Sequence, residues 1–210
     1  MWADVEGMRR GLALLAAVVA LASALAVGRG EAAVSHGVRT LVHAQLKGSA
    51  AVAAPARSTE RSGTRAAMAA LETSVVSRMN VVRRSHGLRP LRLNRRLRAA
   101  AVFHSKDMGR RGYFEHDSLT GTPFWRRIER FYPSRGFQSW TVGENLLWGS
   151  DTYDATFAVR EWMESPPHRQ NILSRDWREV GIGAVFFGRA PGEYAGRPVT
   201  IVTADFGSRG

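Results

Sequence analysis

The chain has 210 residues, enough for one domain and a tail but hardly for two full domains. Hydrophobic residues make up 44% and charged residues 23%, the usual globular mix, and there is no cysteine. That absence excludes a disulfide scaffold, thiolate zinc sites, iron–sulfur clusters and a thiol nucleophile. Lys plus Arg number 30 against 18 Asp plus Glu, a formal charge of +12. Such a balance favours anionic neighbours: nucleic acid, anionic lipid or acidic envelope polymer. Almost all of the excess is arginine, for which genomic base composition is the alternative source.

Met8-Arg9-Arg10 precedes an uncharged apolar run from Gly11 to Val27, with small residues after it. This is the pattern of a secretory signal peptide, with Ala24-Leu25-Ala26 or the stretch around Ala32-Ala33 as the cleavage site. The run is close to the minimum that spans a bilayer, about 17 residues, so an uncleaved N-terminal anchor is the second reading of residues 1–28. Either reading exports the protein, to a secreted or envelope-associated location. Export argues against nucleic acid as a partner. Residues 29–67 are rich in Ala, Ser, Gly, Arg and Thr and show no sustained period, so they read as a flexible linker. Val38–Leu46 is a candidate short helix within it.

Order is expected from about Met68, and residues 68–210 form the domain. Leu71, Val75, Val76, Met79 and Val82 recur at helical spacing, and Gly87 stands where that helix would stop. Arg89-Pro90-Leu91-Arg92 reads as an extended connection. Asn94 is placed to cap a second helix with Leu97, Ala100, Ala101, His104 and Met108 on one face, ending at Gly112. Phe114–Pro123 is turn-rich, and Pro123–Phe131 is a further candidate helix. Thr141–Trp148 reads as a strand and Asp151–Glu164 as a helix that Pro166-Pro167 must end. His168–Leu173 is then a short turn. Val180–Phe187 and Val199–Phe206 read as a hairpin with a long loop. The layout is α+β, with helices covering an antiparallel sheet.

Three polar side chains stand out by location: His116 in the loop Phe114–Ser118, Glu144 inside an apolar strand, and His168 at a broken helix end. A carboxylate among Val142, Leu146 and Leu147 is costly to bury alone and wants a partner such as an imidazole. The plainer alternative is a Glu on the solvent face of an edge strand. His116 and His168 could hold a divalent metal, with Glu144 as third ligand or as base, although no His-x-x-x-His motif is present. His104 reads as a satisfied core histidine. Ser105, Ser118 and Ser165 lack the Gly-x-Ser-x-Gly context of a serine-hydrolase elbow. The arginine pairs, Arg83-Arg84, Arg95-Arg96, Arg110-Arg111 and Arg126-Arg127, read as solvated helix faces, with an anionic envelope surface as the functional alternative. Trp125, Trp140, Trp148, Trp162 and Trp177 read as core or cleft walls.

Six motifs in register resemble the CAP superfamily (SCP domain), and within it the bacterial, cysteine-free branch. They are Asn80 through Gly87-Leu88-Arg89-Pro90-Leu91, His104–Met108, Gly112–His116, Gly143-Glu144-Asn145, Trp162–Leu173, and Val180–Gly183 with Asp205-Phe206-Gly207. They cover about two thirds of the chain. The resemblance implies a three-layer α-β-α sandwich around a central antiparallel sheet, and a cleft lined by two histidines and acidic residues. Matched residue by residue, His116, Glu144 and His168 fall on three of the four cleft positions. The fourth, an acid in eukaryotic members, falls on Ser165, which puts a two-carboxylate scheme in doubt unless Glu161 or Glu164 substitutes. Asn145 and Asn171 are expected to shape the cleft through backbone hydrogen bonds.

Family membership alone does not fix function. The first reading is an extracellular binding module for a lipid, glycan or peptide, with a zinc-like divalent ion between His116 and His168. The alternative is a hydrolase or protease in which a metal-bound water or Ser165 attacks and Glu144 or a histidine is the base. A third is an envelope protein held by its arginines to anionic polymer. Whether the chain catalyses anything is left open, and no catalytic residue is assigned.

Overall fold

A computed structural model describes residues 53–150 and 154–210, with side chains from 61 onward. The expected leader (1–28) and the short helix Val38–Leu46 lie outside the described residues.

Helix α1 spans Ala53–Ser85. It starts well before Met68, inside the segment expected to be a linker, which corrects the boundary at residue 67. Burial does begin at Met68 and continues through Leu71, Val75, Val76 and Met79. Gly87 (φ +67°) ends the helix in the left-handed region, with Leu88 N donating to the Arg83 carbonyl.

Asn80 then pins the returning chain: its amide donates to the Leu91 carbonyl at 3.0 Å and its Oδ1 accepts from Leu91 N at 2.8 Å. The expected extended connection becomes a two-residue strand, β1 (Arg92–Leu93). Asn94 caps α2 (Arg95–Arg111), its side chain accepting from Arg96 N and Leu97 N. The remaining elements are α3 (Phe124–Glu129), β2 (Trp140–Ser150), α4 (Ala155–Glu164), α5 (Pro166–Leu173), β3 (Glu179–Phe187) and β4 (Val199–Arg209). The prolines end α4 as expected. They also begin α5, because the first turn of a helix needs no backbone N–H donors.

The sheet order is β1-β3-β4-β2. β2, β4 and β3 pair antiparallel, Glu144 standing opposite Asp205. The short β1 pairs parallel with β3 at the far edge. Alternation along the strands sorts the two faces. Val180, Ile182, Ala184, Val202, Ala204 and Phe206 pack with α1, α4 and α5 into the main core. Leu146, Val199 and Ile201 pack with Met108 of α2 and with Tyr113 and Tyr194. Leu97, Ala100, Ile128 and Tyr132 close the same side under α3. The result is a three-layer α-β-α sandwich. On the α2 side, β3 presents Gly181 and Gly183. A Cβ on either would meet the α2 backbone, 1.9 Å from Arg98 N and 2.2 Å from Val102 N respectively. Those glycines let α2 lie directly on the sheet and carry its inner residues to the level of Glu144.

Candidate functional site

β2 is the edge strand, and its alternation turns Glu144 to the α2–α3 layer and Asn145 to α5. Glu144 is buried, and its carboxylate is held from two sides. Arg127 Nη2 of α3 donates to Oε2 at 2.5 Å, and His116 Nδ1 donates to Oε1 at 2.9 Å. The same Arg127 nitrogen donates to the His116 carbonyl at 3.1 Å, so one guanidinium fixes both the acid and the loop that carries the histidine. Burial pushes the Glu144 carboxyl up, but the Arg127 charge and the His116 hydrogen bond outweigh it and hold the carboxyl below the usual range. The solvent-facing alternative for Glu144 does not hold. Its edge strand is covered on that side by α3 and the His116 loop.

Beneath this pair lies His104. It is fully buried, donates from Nε2 to the Glu115 carbonyl at 2.9 Å, and stands 4.0 Å from Glu144 Oε1. Burial lowers its pKa to about 4, although Glu144 pulls the other way, so it is neutral at pH 7. Ser105 is also buried and hydrogen-bonds the Gly183 carbonyl and Thr203, a structural role rather than a nucleophilic one.

Across the strand, α5 is tied to β2 by asparagines. Asn145 Nδ2 donates to the His168 carbonyl at 3.0 Å, and Asn171 Nδ2 donates to the Glu144 carbonyl and to Asn145 Oδ1. His168 Nδ1 is hydrogen-bonded to Ser165 Oγ at 2.9 Å. Burial, then the nearby charge of His116, lowers the His168 pKa to about 4. The four residues singled out from sequence therefore meet around β2 as two pairs: His116 with Glu144 on one side, His168 with Ser165 on the other.

Two members of the site were not foreseen. Arg127 was read as part of a solvated pair, and so was Arg83; both are buried. Arg127 follows Phe124 by three residues and precedes Phe131 by four, which is the inward face of α3. That spacing was the available signal. Arg83 donates to the carbonyls of Arg89, Ile172 and Ser174, locking α1 to the end of α5. The second newcomer is Asp205. It is fully buried opposite Glu144, and neither carboxyl oxygen has a hydrogen-bond partner among the described residues. Burial and then the Glu144 charge push its carboxyl well above the usual range. Glu161 and Glu164, the acids weighed as substitutes for the one absent at Ser165, pair with Arg160.

The donor set does not fit a zinc centre. Among the described residues no three His, Asp or Glu side chains are grouped to hold an ion. His116 and His168 have Nε2 available, but Glu144 already accepts from Arg127 and His116, and a catalytic zinc needs three protein ligands.

Fold and site together define a sandwich whose edge strand carries a buried Glu, flanked by histidines from the two helical layers. Residues 76–205 match the CAP family, the cysteine-rich secretory protein family. The chain belongs to this family, in a form without cysteine. It is similar to the uncharacterized protein YkwD of Bacillus subtilis (strain 168), 36% identical over 119 residues, 56% of this chain and 44% of that one. It is also similar to the uncharacterized membrane protein YlbC of the same organism, 31% identical over 112 residues, 53% of this chain and 31% of that one. The match thus spans less than half the length of either relative. Among solved structures it resembles an extracellular SCP-domain protein from Bacillus anthracis str. Ames, with TM-score 0.53 and 26% identity, covering 68% of this chain and 42% of that one. No described helix is long and apolar enough to cross a membrane.

Proposed function

We propose that the chain is an exported binding module whose β2-edge cleft takes the polar groups of a peptide, glycan or lipid. The observation that carries this reading is the state of the two cleft histidines. Each ring is anchored through Nδ1, His116 to Glu144 and His168 to Ser165, and no described residue takes the Nε2 of either. Two fixed imidazoles with unused nitrogens suit hydrogen bonding to a ligand better than proton transfer. Glu144, its carboxyl held below the usual range by Arg127 and His116, is a weak general base. Export is supported by the leader pattern and by the extracellular structural relative.

The test is histidine ring NMR of the full chain with three separate probes: a chitin oligosaccharide, a casein peptide digest and lysophospholipid micelles. The expected result is that one class shifts the ring signals of both His116 and His168, and that His116→Ala and His168→Ala abolish binding with the fold intact. No shift with any probe overturns the reading.

One contact favours a second reading, a serine hydrolase. Ser165 and His168 stand at nucleophile–base distance. Among the described residues no carboxylate orients His168, so this pair lacks its third member. Turnover of a fluorogenic ester that is lost in Ser165→Ala would establish it.

A further inference from the structure

We propose that the outer face of α2 and α3 is a docking surface for the anionic headgroup layer of a lipid bilayer. This surface is separate from the cleft and does not depend on its reading. Arg96, Ala99, Phe103, Lys106 and Arg110 follow one another at three- and four-residue steps, so they form one outward stripe along about 21 Å of helix. All five are exposed. Phe103 packs on Phe131, ring centroids 5.6 Å apart, and the guanidinium of Arg130 lies over it at 5.9 Å. That contact joins the stripe to α3, where Arg126 covers the exposed Trp125 ring at 5.2 Å. Arg96, Lys106, Arg110, Arg126 and Arg130 make no salt bridge among the described residues.

Three features mark this face. α2 holds six basic residues against one acid, and among the described residues only Arg98 and Arg111 of the six make salt bridges. α1 on the opposite layer is basic as well, so the aromatic rings rather than net charge give the attraction its direction. Next, Arg95 and Arg96 occupy the first turn of α2, which has no acid, where the helix dipole disfavours cations. Helix stability does not explain them. Finally, Phe103 and Trp125 stay 41% and 39% exposed in the middle of the cations. A hydrated polyanion offers nothing apolar to cover those rings, whereas the headgroup–acyl boundary takes aromatic side chains and cations together.

The test is sedimentation of the full chain with vesicles of equal phosphatidylglycerol and phosphatidylcholine, and with pure phosphatidylcholine, at low and at half-molar salt. The apolar run Gly11–Val27 is common to all variants, so differences between them report the surface. The triple variant Arg96→Glu/Lys106→Glu/Arg110→Glu is expected to weaken partition onto anionic vesicles by on the order of a hundredfold. Phe103→Ser should weaken it several-fold even at high salt. Reversal of Arg78, Arg84 and Arg169, exposed on the other helical layer, should change it less than about threefold, because those residues face away from the surface. Thermal melts check folding, and the milder triple Gln variant gives an intermediate loss if the Glu variant is unstable. Equal losses from the two reversals overturn the proposal in favour of diffuse net charge. No effect of Phe103→Ser, with stripe-dependent binding to soluble poly-glutamate, overturns it in favour of a polymer.

Discussion

Glu144 and Asp205 face each other across the β2–β4 ladder as two fully enclosed carboxyls pushed in opposite directions. Arg127 and His116 hold Glu144 toward its ionised form, whereas burial and the Glu144 charge push Asp205 toward its protonated form. A raised folded-state pKa stabilises the fold below the ordinary carboxyl range, and that contribution is lost as pH rises through the folded value. The permanently neutral Asp205→Asn variant escapes this loss. Its stability relative to wild type should therefore increase above about pH 4, by about 1.4 kcal/mol per pH unit until the raised pKa is passed. Urea unfolding of both proteins from pH 4 to 9 measures it. Parallel curves would show Asp205 to be ionised.

Among the described residues Arg127 is the one permanently charged cation within salt-bridge reach of Glu144, and it is buried with it. Removing it leaves a buried carboxylate uncompensated, so Arg127→Met is expected to cost about 3–5 kcal/mol. The double variant Arg127→Met/Glu144→Leu should recover most of that loss, because it removes both charges together. Denaturation midpoints of the two variants decide the point. If the double variant is the less stable, the pair is not an isolated ionic unit.

His168 should stay neutral through the physiological range. Its pKa of about 4 predicts a flat ring chemical shift from pH 8 down to about 5.5. Burial is the larger cause and the charge of His116 the second. His116→Ala should therefore raise the His168 value without restoring it to the ordinary 6.5. An NMR titration of both proteins reads this directly, and an unchanged value in the variant would separate the two histidines.

Gly183 and Gly181 set the distance between α2 and the sheet. A methyl group at 183 would stand 2.2 Å from Val102 N, and backbone cannot yield as a side-chain tip can. Gly183→Ala is expected to cost at least the upper end of the overpacking range, about 3 kcal/mol. Gly188→Ala, with open space around it, serves as the near-neutral control. Comparison of the two melting temperatures tests the close approach.

Zinc titrated by calorimetry into the full chain should bind weakly, with two imidazoles at most as ligands. Tight stoichiometric uptake that is lost in His116→Ala/His168→Ala would establish a third ligand.

Much of this molecule was legible in one dimension. The apolar period of Met68–Val82, the Asn94 cap, the Gly87 and Gly112 stops and the proline break at Pro166-Pro167 are local signals, each set by backbone sterics or by which face must be buried. They placed the inward face of α1, both ends of α2 and the end of α4, whereas α5 read only as a short turn. The motifs around His116, Glu144 and His168 gave the family and those members of the site. What local chemistry could not show was which arginines turn inward. Arg126 and Arg127 are adjacent in sequence and identical in chemistry, yet one covers an exposed tryptophan and the other neutralises a buried acid. Nor could it show that Asp205, sixty-one positions after Glu144, would become its neighbour, since that depends on strand register. The charge state of the site follows from the same contacts. A carboxyl's affinity for its proton is set by burial and by charges a few Å away. Those were decided only when β2, β4, α2 and α3 packed together.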